Sequence, residues 1–300
     1  MRILVAIDGS DDAKAAVGWL ARLPLPADRS VRLVTAVLPP IPFVDVDGAL
    51  ETRDALLAEA RRLVDDTAAE LRLAGAVTTG EAVVENDARE AIVAAAREWG
   101  ADLIAMGARG LGHVARFFLG SVSLSVAREA SCPVLVCKGP PRDLRAVTVA
   151  LDGSDHARRA LDWATSSLAL SPSMRLRLLG VVEAHHYPSK APGFRVLPHS
   201  AGVRALETKR RAALEAELAA AAKRIEPRGP TVEMAILNGA PADVILHDIE
   251  RSGTDLVIMG ARGLGTLRRL LLGSVSEAVL NHAGCSVLIV RARTESRRLS

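Results

Sequence analysis

Aromatic residues are nearly missing from this 300-residue chain, which has one Tyr, three Trp and four Phe, 3% of the total. Proteins that bind single-stranded nucleic acid stack bases on aromatic rings and gather basic side chains along a groove. Here the rings are scarce, and the formal net charge of +3 comes from 38 basic and 35 acidic residues mixed along the chain. Nucleic acid is therefore not an expected partner. Cysteine is equally sparse. Cys132, Cys137 and Cys285 are odd in number and show no close pairing pattern, which argues against a disulfide framework and fits a reducing, cytoplasmic setting. No apolar run reaches the roughly 20 residues that span a bilayer, so no membrane association is expected. The opening Met1-Arg-Ile-Leu-Val-Ala-Ile-Asp8 meets an acid too early for a signal peptide. A phosphate-binding Gly-Lys-Ser/Thr is missing as well, which excludes a P-loop.

What is present is a repeat. Arg2-Ile-Leu-Val-Ala-Ile-Asp-Gly-Ser-Asp11 returns as Ala146-Val-Thr-Val-Ala-Leu-Asp-Gly-Ser-Asp155, and Met106–Gly112 returns residue for residue as Met259–Gly265. Asp8 maps to Asp152 and Gly120 to Gly273, so the second copy carries about nine extra residues, mainly after its second strand. Gly139-Pro140-Pro141 punctuates the join. The chain thus divides into domains at 1–139 and 145–293, with a polar tail at 294–300.

Short, unbroken apolar runs such as Ile3–Ile7 suit strands buried on both faces of a parallel sheet. Taken with helical spacing between them, the first copy reads as strands at Ile3–Ile7, Val31–Leu38, Thr78–Val84, Leu103–Met106 and Pro133–Cys137. Its helices read as Ala13–Leu23, Glu51–Ala74, Asp87–Trp99 and a segment from Gly120 or Ser121 to Glu129, with Pro39–Gly48 a loop. The second copy reads the same way, with strands at Val147–Leu151, Leu176–Val182, Glu233–Leu237, Leu256–Met259 and Val287–Val290 and helices at Ala157–Leu168, Ala205–Ile225, Pro241–Ser252 and Ser274–His282. Alternation of this kind gives an α/β fold, two tandem doubly wound parallel sheets of five strands each.

Each copy carries Gly-x2-Gly-x9-Gly-Ser-x-Ser, as Gly107–Ser123 and Gly260–Ser276, directly after its fourth strand. A strand running into a glycine loop and then a helix N-terminus describes an anion site, because glycine lets backbone approach a ligand and the free N–H groups favour phosphate. In an open parallel sheet, ligands bind beyond the carboxyl ends of the strands where strand order reverses. If the first and fourth strands are neighbours, Asp8 faces the Gly107 loop and Asp152 the Gly260 loop. An acid there is suited to ribose, base or Mg²⁺, or else to a plain turn. Ser121, Ser123, Ser274 and Ser276 suit either a ligand or helix caps. His185-His186 has no ligand set around it, His113 has no counterpart, and no Ser/His/Asp set repeats, so no catalytic residue is assigned and no metal site is expected from protein ligands alone.

Together, the Asp-Gly-Ser turn, the glycine stretch and the following Cys-Pro-Val-Leu-Val run resemble the universal stress protein family, over almost the whole chain as two tandem domains of the ATP-binding type. The resemblance implies a Rossmann-like sheet of order 3-2-1-4-5 with ATP between the first and fourth strands. It places Asp8 and Asp152 at the base and ribose, the backbone around Val37 and Val182 at adenine, and Arg109 and Arg262 at phosphate. The implied nucleotide-binding set is Asp8, Gly9, Ser10, Val37, Gly107, Arg109, Gly110, Gly120, Ser121, Val122 and Ser123, with Asp152, Gly153, Ser154, Val182, Gly260, Arg262, Gly263, Gly273, Ser274, Val275 and Ser276 in the second copy. ATP is the expected cofactor, with Mg²⁺ as a further candidate.

One departure separates the copies. Asn238-Gly239-Ala-Pro241 follows the third strand of the second copy, where the first has Glu85-Asn86-Asp87-Ala88. Asn86 can take glycine's place in a left-handed turn, while Glu85 and Asp87 would repel triphosphate if they line the site. The expected function is a regulatory nucleotide sensor of the stress response. Two alternatives stay open: a slow ATPase or phosphotransferase, against which no repeated general base is found, and a nucleotide-free scaffold. Val134–Val136 and Val287–Val290 are apolar edge candidates, so a homodimer paired through these terminal strands is expected. The protein partner, if any, cannot be named from these residues.

Overall fold

The structure, a computed structural model, describes residues 1–38, 46–73, 77–111, 119–183, 201–264 and 272–291. Each half follows one order. The first half runs β1 (Arg2–Ala6), α1 (Asp11–Arg22), β2 (Ser30–Val37), α2 (Val46–Leu73), β3 (Val77–Glu85), α3 (Ala88–Trp99), β4 (Leu103–Gly107), α4 (Ser121–Glu129) and β5 (Val134–Cys137). The second runs β6 (Ala146–Leu151), α5 (Asp155–Ser167), β7 (Arg175–Val182), α6 (Ala201–Ile225), a 3₁₀ turn at Glu226–Arg228, β8 (Thr231–Asn238), α7 (Pro241–Arg251), β9 (Leu256–Gly260), α8 (Ser274–His282) and β10 (Ser286–Val290).

The strands join into one sheet of ten, in the order β3-β2-β1-β4-β5-β10-β9-β6-β7-β8. Each half has the expected internal order 3-2-1-4-5 with all neighbours parallel. Period-two alternation along the buried strands feeds two cores. Ile3 and Val5 point to the face covered by α1, α2, α5 and α6, where Trp19, Val64, Leu161 and Leu218 pack. Leu4 and Ala6 point to the face of α3, α4, α7 and α8, with Ile92, Val126, Ile249 and Val279. Both cores run through both halves. Because the first two crossovers of each half lie on one face and the last two on the other, strand order reverses between β1 and β4, and again between β6 and β9.

One expectation is corrected here. β5 and β10 are not open edges waiting for a second subunit, because they pair antiparallel with each other inside one chain (Val134 opposite Ile289, Leu135 opposite Leu288, Val136 opposite Val287). All six side chains are at most 2% exposed, each contributing about 1.5–3 kcal/mol relative to exposure. A homodimer built on these strands would first have to break that pairing. The junction is reinforced by an ion pair across it, Arg128 to Glu277 at 2.6 Å. The Gly139-Pro-Pro linker packs rather than dangles: Trp19 Nε1 donates to Gly139 O at 3.3 Å, and Pro141 sits where any side chain at Gly18 would go.

Two boundaries also differ. The second helix begins at Val46, so Val46–Gly48 belongs to it rather than to a loop. The sixth helix likewise begins at Ala201. Residues 39–45, His113, His185-His186 and the tail at 294–300 lie outside the described part.

Candidate functional site

β1 ends at Ala6, and Ile7 still bonds Val34 through its N–H (2.9 Å) before the chain turns at Asp8-Gly9-Ser10. Gly9 (φ +81°) and Gly153 (φ +83°) adopt the left-handed conformation that this turn requires. Ser10 and Ser154 are the N-caps of α1 and α5, accepting from Ala13 N at 3.2 Å and Ala157 N at 3.1 Å. Asp8 is not a cap. Its Oδ1 accepts from Ser10 N (3.0 Å) and Ser10 Oγ (2.6 Å), and its Oδ2 accepts from Leu111 N (3.1 Å) in the glycine loop after β4. Asp152 repeats the arrangement, accepting from Ser154 N at 2.9 Å and Leu264 N at 3.2 Å. The acid therefore ties the β1 turn to the glycine loop across the switch point.

Close approach explains the glycines. A Cβ on Gly107 would lie 2.6 Å from the Asp12 carbonyl carbon, and one on Gly260 would lie 2.6 Å from that of His156. At Gly110 a Cβ would run into Asp8 Oδ2, and at Gly263 into Asp152 Oδ2. Gly120 and Gly273 are the N-caps of α4 and α8, and neither helix has a side-chain cap. The serines are therefore not caps. Ser123 and Ser276 are buried and donate back to Gly107 O (2.9 Å) and Gly260 O (2.8 Å), which pins each helix to the end of its strand. Ser121 and Ser274 are exposed, and Val122 and Val275 half-buried, over the uncapped first turns.

In the second half these parts enclose a cavity of about 800 Å³. Its apolar floor comes from Ala150, Leu179 and Met259. Val182, Pro241 and Ile245 form one wall, and the loop side carries Gly260, Arg262, Gly263 and Gly273–Ser276. Asp152, Arg158 and Glu217 bring charge to the rim, where Arg158 bonds Gly153 O at 2.8 Å and Glu217 at 3.5 Å. Val37 is the buried end of β2 in the first half, at the place of Val182.

The departure after β3 is also clarified. Asn86 is not left-handed, since every described residue with positive φ is a glycine. Its Oδ1 instead accepts from Asp87 N at 2.7 Å, whereas Gly239 does take φ +142°. Asp87 caps α3 and holds Arg89 at 2.8 and 2.9 Å, and that guanidinium lowers its carboxyl to about 2. The side chain of Glu85 lies outside the described part. Arg109 is engaged too, by Asp12, at 2.8 and 3.1 Å. Its guanidinium is thus already paired in the unliganded chain.

Among the described residues no helix is long and apolar enough to cross a membrane, and no group of three or more His, Cys, Asp and Glu is placed to hold a metal ion. Cys132 and Cys137 are buried and Cys285 half-buried. Burial pushes the Cys137 and Cys285 thiols up, Cys285 to about 11, so both stay protonated near neutrality.

A family model described as the universal stress protein family matches residues 1–138 and again 144–291. The chain is 26% identical to a universal stress protein of Mycobacterium tuberculosis over 96% of both chains. Its alignment with one from Thermus aquaticus is 38% identical and covers 49% of this chain and 98% of that one. A universal stress protein structure from Archaeoglobus fulgidus superposes with a TM-score of 0.68 at 22% identity, covering 97% and 96% of the two chains, which supports the fold.

Proposed function

The chain belongs to the universal stress protein family, and from that premise we propose that it is an ATP-binding regulatory protein whose nucleotide occupancy biases its conformation or partners during stress. The observation that carries this reading is the second-half cavity of about 800 Å³, apolar at its floor and bounded by a glycine loop and an uncapped helix N-terminus. Its volume falls within the range of small-molecule sites, and its two ends match a flat apolar base and an anionic tail. Asp152 would accept from ribose, Val182 backbone would meet adenine, and Gly260, Gly263, Gly273 and Ser274 would hold phosphates. Asp8, Val37, Gly107, Gly110, Gly120 and Ser121 would do so in the first half. Mg²⁺, if it accompanies ATP, would be held mainly by the phosphates.

An enzymatic role is less well supported. Phosphoryl transfer needs a group that orients the nucleophile, and two of the three acids lining the cavity are already engaged, Asp152 by two backbone N–H groups and Glu217 by Arg158, while the third, Glu183, is exposed just after β7.

Calorimetric titration of ATP into the intact protein and into Asp152→Ala and Asp8→Ala variants tests the reading. Each variant should lose binding at one site. Unchanged titration of both variants would contradict it.

A further inference from the structure

The two sites differ at one position behind the phosphate loop. In the first half Asp12, on the first turn of α1, holds Arg109 with two parallel bonds, Nε at 2.8 Å and Nη2 at 3.1 Å. In the second half α5 puts His156 in the same place, with its backbone against Gly260 just as that of Asp12 lies against Gly107. A histidine cannot neutralise an arginine. Arg262, the counterpart of Arg109, lines the cavity, and its Nε is buried with no hydrogen-bond partner among the described residues.

Nor is Arg262 alone. Nδ1 of His156 and Nε of Arg291 are also buried and unpartnered. Arg291 follows β10, and its Nη2 donates to Ala127 O at the end of α4. Burial, then Arg262, Arg159 and Arg291, hold the His156 imidazole below its usual range, with Asp155 opposing them. Burial and Arg262 lower Arg291 to about 10. Orphaned donors on crowded cations are unfavourable in an unliganded site, and a polyanion relieves both the desolvation and the repulsion.

We propose that the Asp12/His156 difference leaves Arg262 available to read phosphate charge, so that the second site discriminates nucleotides by phosphate charge while the first does not. This rests on the nucleotide reading above. In the second half no carboxylate among the described residues pairs with the guanidinium, so the γ- and β-phosphates of ATP are its counter-ion. In the first half Asp12 already fills that role, so ATP gains little there over adenosine or AMP.

The test is a reciprocal exchange in the full chain, with ATP and adenosine titrated calorimetrically. His156→Asp should weaken ATP at the tighter site by about tenfold or more, the value of one charge-assisted hydrogen bond, and leave adenosine affinity unchanged. Asp12→His should tighten ATP at the weaker site, an independent check if the first variant folds poorly. ATP affinity unchanged in both variants overturns this inference and leaves the nucleotide reading intact. Equal loss of ATP and adenosine overturns it too, because it reports a merely structural role. Absence of any ATP binding to the wild-type chain overturns both.

Discussion

Lys138 Nζ lies 2.8 Å from the carbonyl oxygen of Ala283, so a side chain of the first half closes the last turn of a helix in the second. The same ammonium donates to Leu280 O at 2.7 Å. Arg291 reciprocates on Ala127 O at the end of α4. Helix C-termini leave carbonyls without intrahelical partners and favour a cation, and the antiparallel β5–β10 pair aims each strand's following residue at the other half. Lys138→Met keeps the apolar stem and removes the donor. It should destabilise the chain by about 1–3 kcal/mol in urea unfolding, with a single transition, since both cores run through both halves. Two separated transitions in the unmodified protein would contradict the continuous core.

The glycines supply a graded test of close packing. At Gly260 a Cβ would meet backbone of His156 at 2.6 Å, and backbone cannot swing aside. Gly260→Ala should cost about 1–3 kcal/mol or more. Gly284 has nothing within 4 Å and no positive φ, so Gly284→Ala should stay within about 0.5 kcal/mol of wild type. Equal midpoints for the two variants would refute the packing account of Gly260.

Gly263→Ala separates binding from folding. The new methyl would lie 2.5 Å from Asp152 Oδ2, a side-chain atom that can rotate, but only by giving up Leu264 N. Stability should fall by roughly 1 kcal/mol, the size of one hydrogen bond, while ATP binding at the second site should drop markedly. Thermal melts alongside titrations resolve the two effects. A variant that binds ATP normally would show that the Asp152–Leu264 link does not shape the site.

The pH response of the unliganded protein follows from His156. Its folded value lies below its usual 6.5 because of burial and then Arg262. Below about 6.5 the unfolded chain takes up a proton that the folded chain resists, so stability is full above that value and declines as pH falls through the folded value. A His156→Asn variant should flatten that part of the stability-pH curve. A slope that persists in the variant would assign it to other groups. Polyphosphate should also bind more tightly as the imidazole charges.

Much of the fold is legible in the sequence. The 3-2-1-4-5 order implied by the family resemblance places β1 beside β4, and the structure puts Asp8 and Asp152 on the loop N–H groups of Leu111 and Leu264. Element types followed from unbroken apolar runs. What was not legible depends on partners distant in sequence. The apolar runs at β5 and β10 look the same whether they cap a free edge or each other. Asp87 reads as a site acid until Arg89 is seen beside it. The Arg109–Asp12 pair joins residues 97 apart, yet the Asp12-to-His156 change was visible once the copies were aligned and is the signal that could have found it.

Adenine nucleotide is predicted to occupy both sites. Native mass spectrometry of the intact chain, stripped of nucleotide and then incubated with ATP and Mg²⁺, tests it directly. The expected spectrum shows the chain carrying one ATP at low nucleotide and two at high, the first lost in Asp152→Ala. A chain that stays at its unliganded mass at every ATP concentration would contradict the claim.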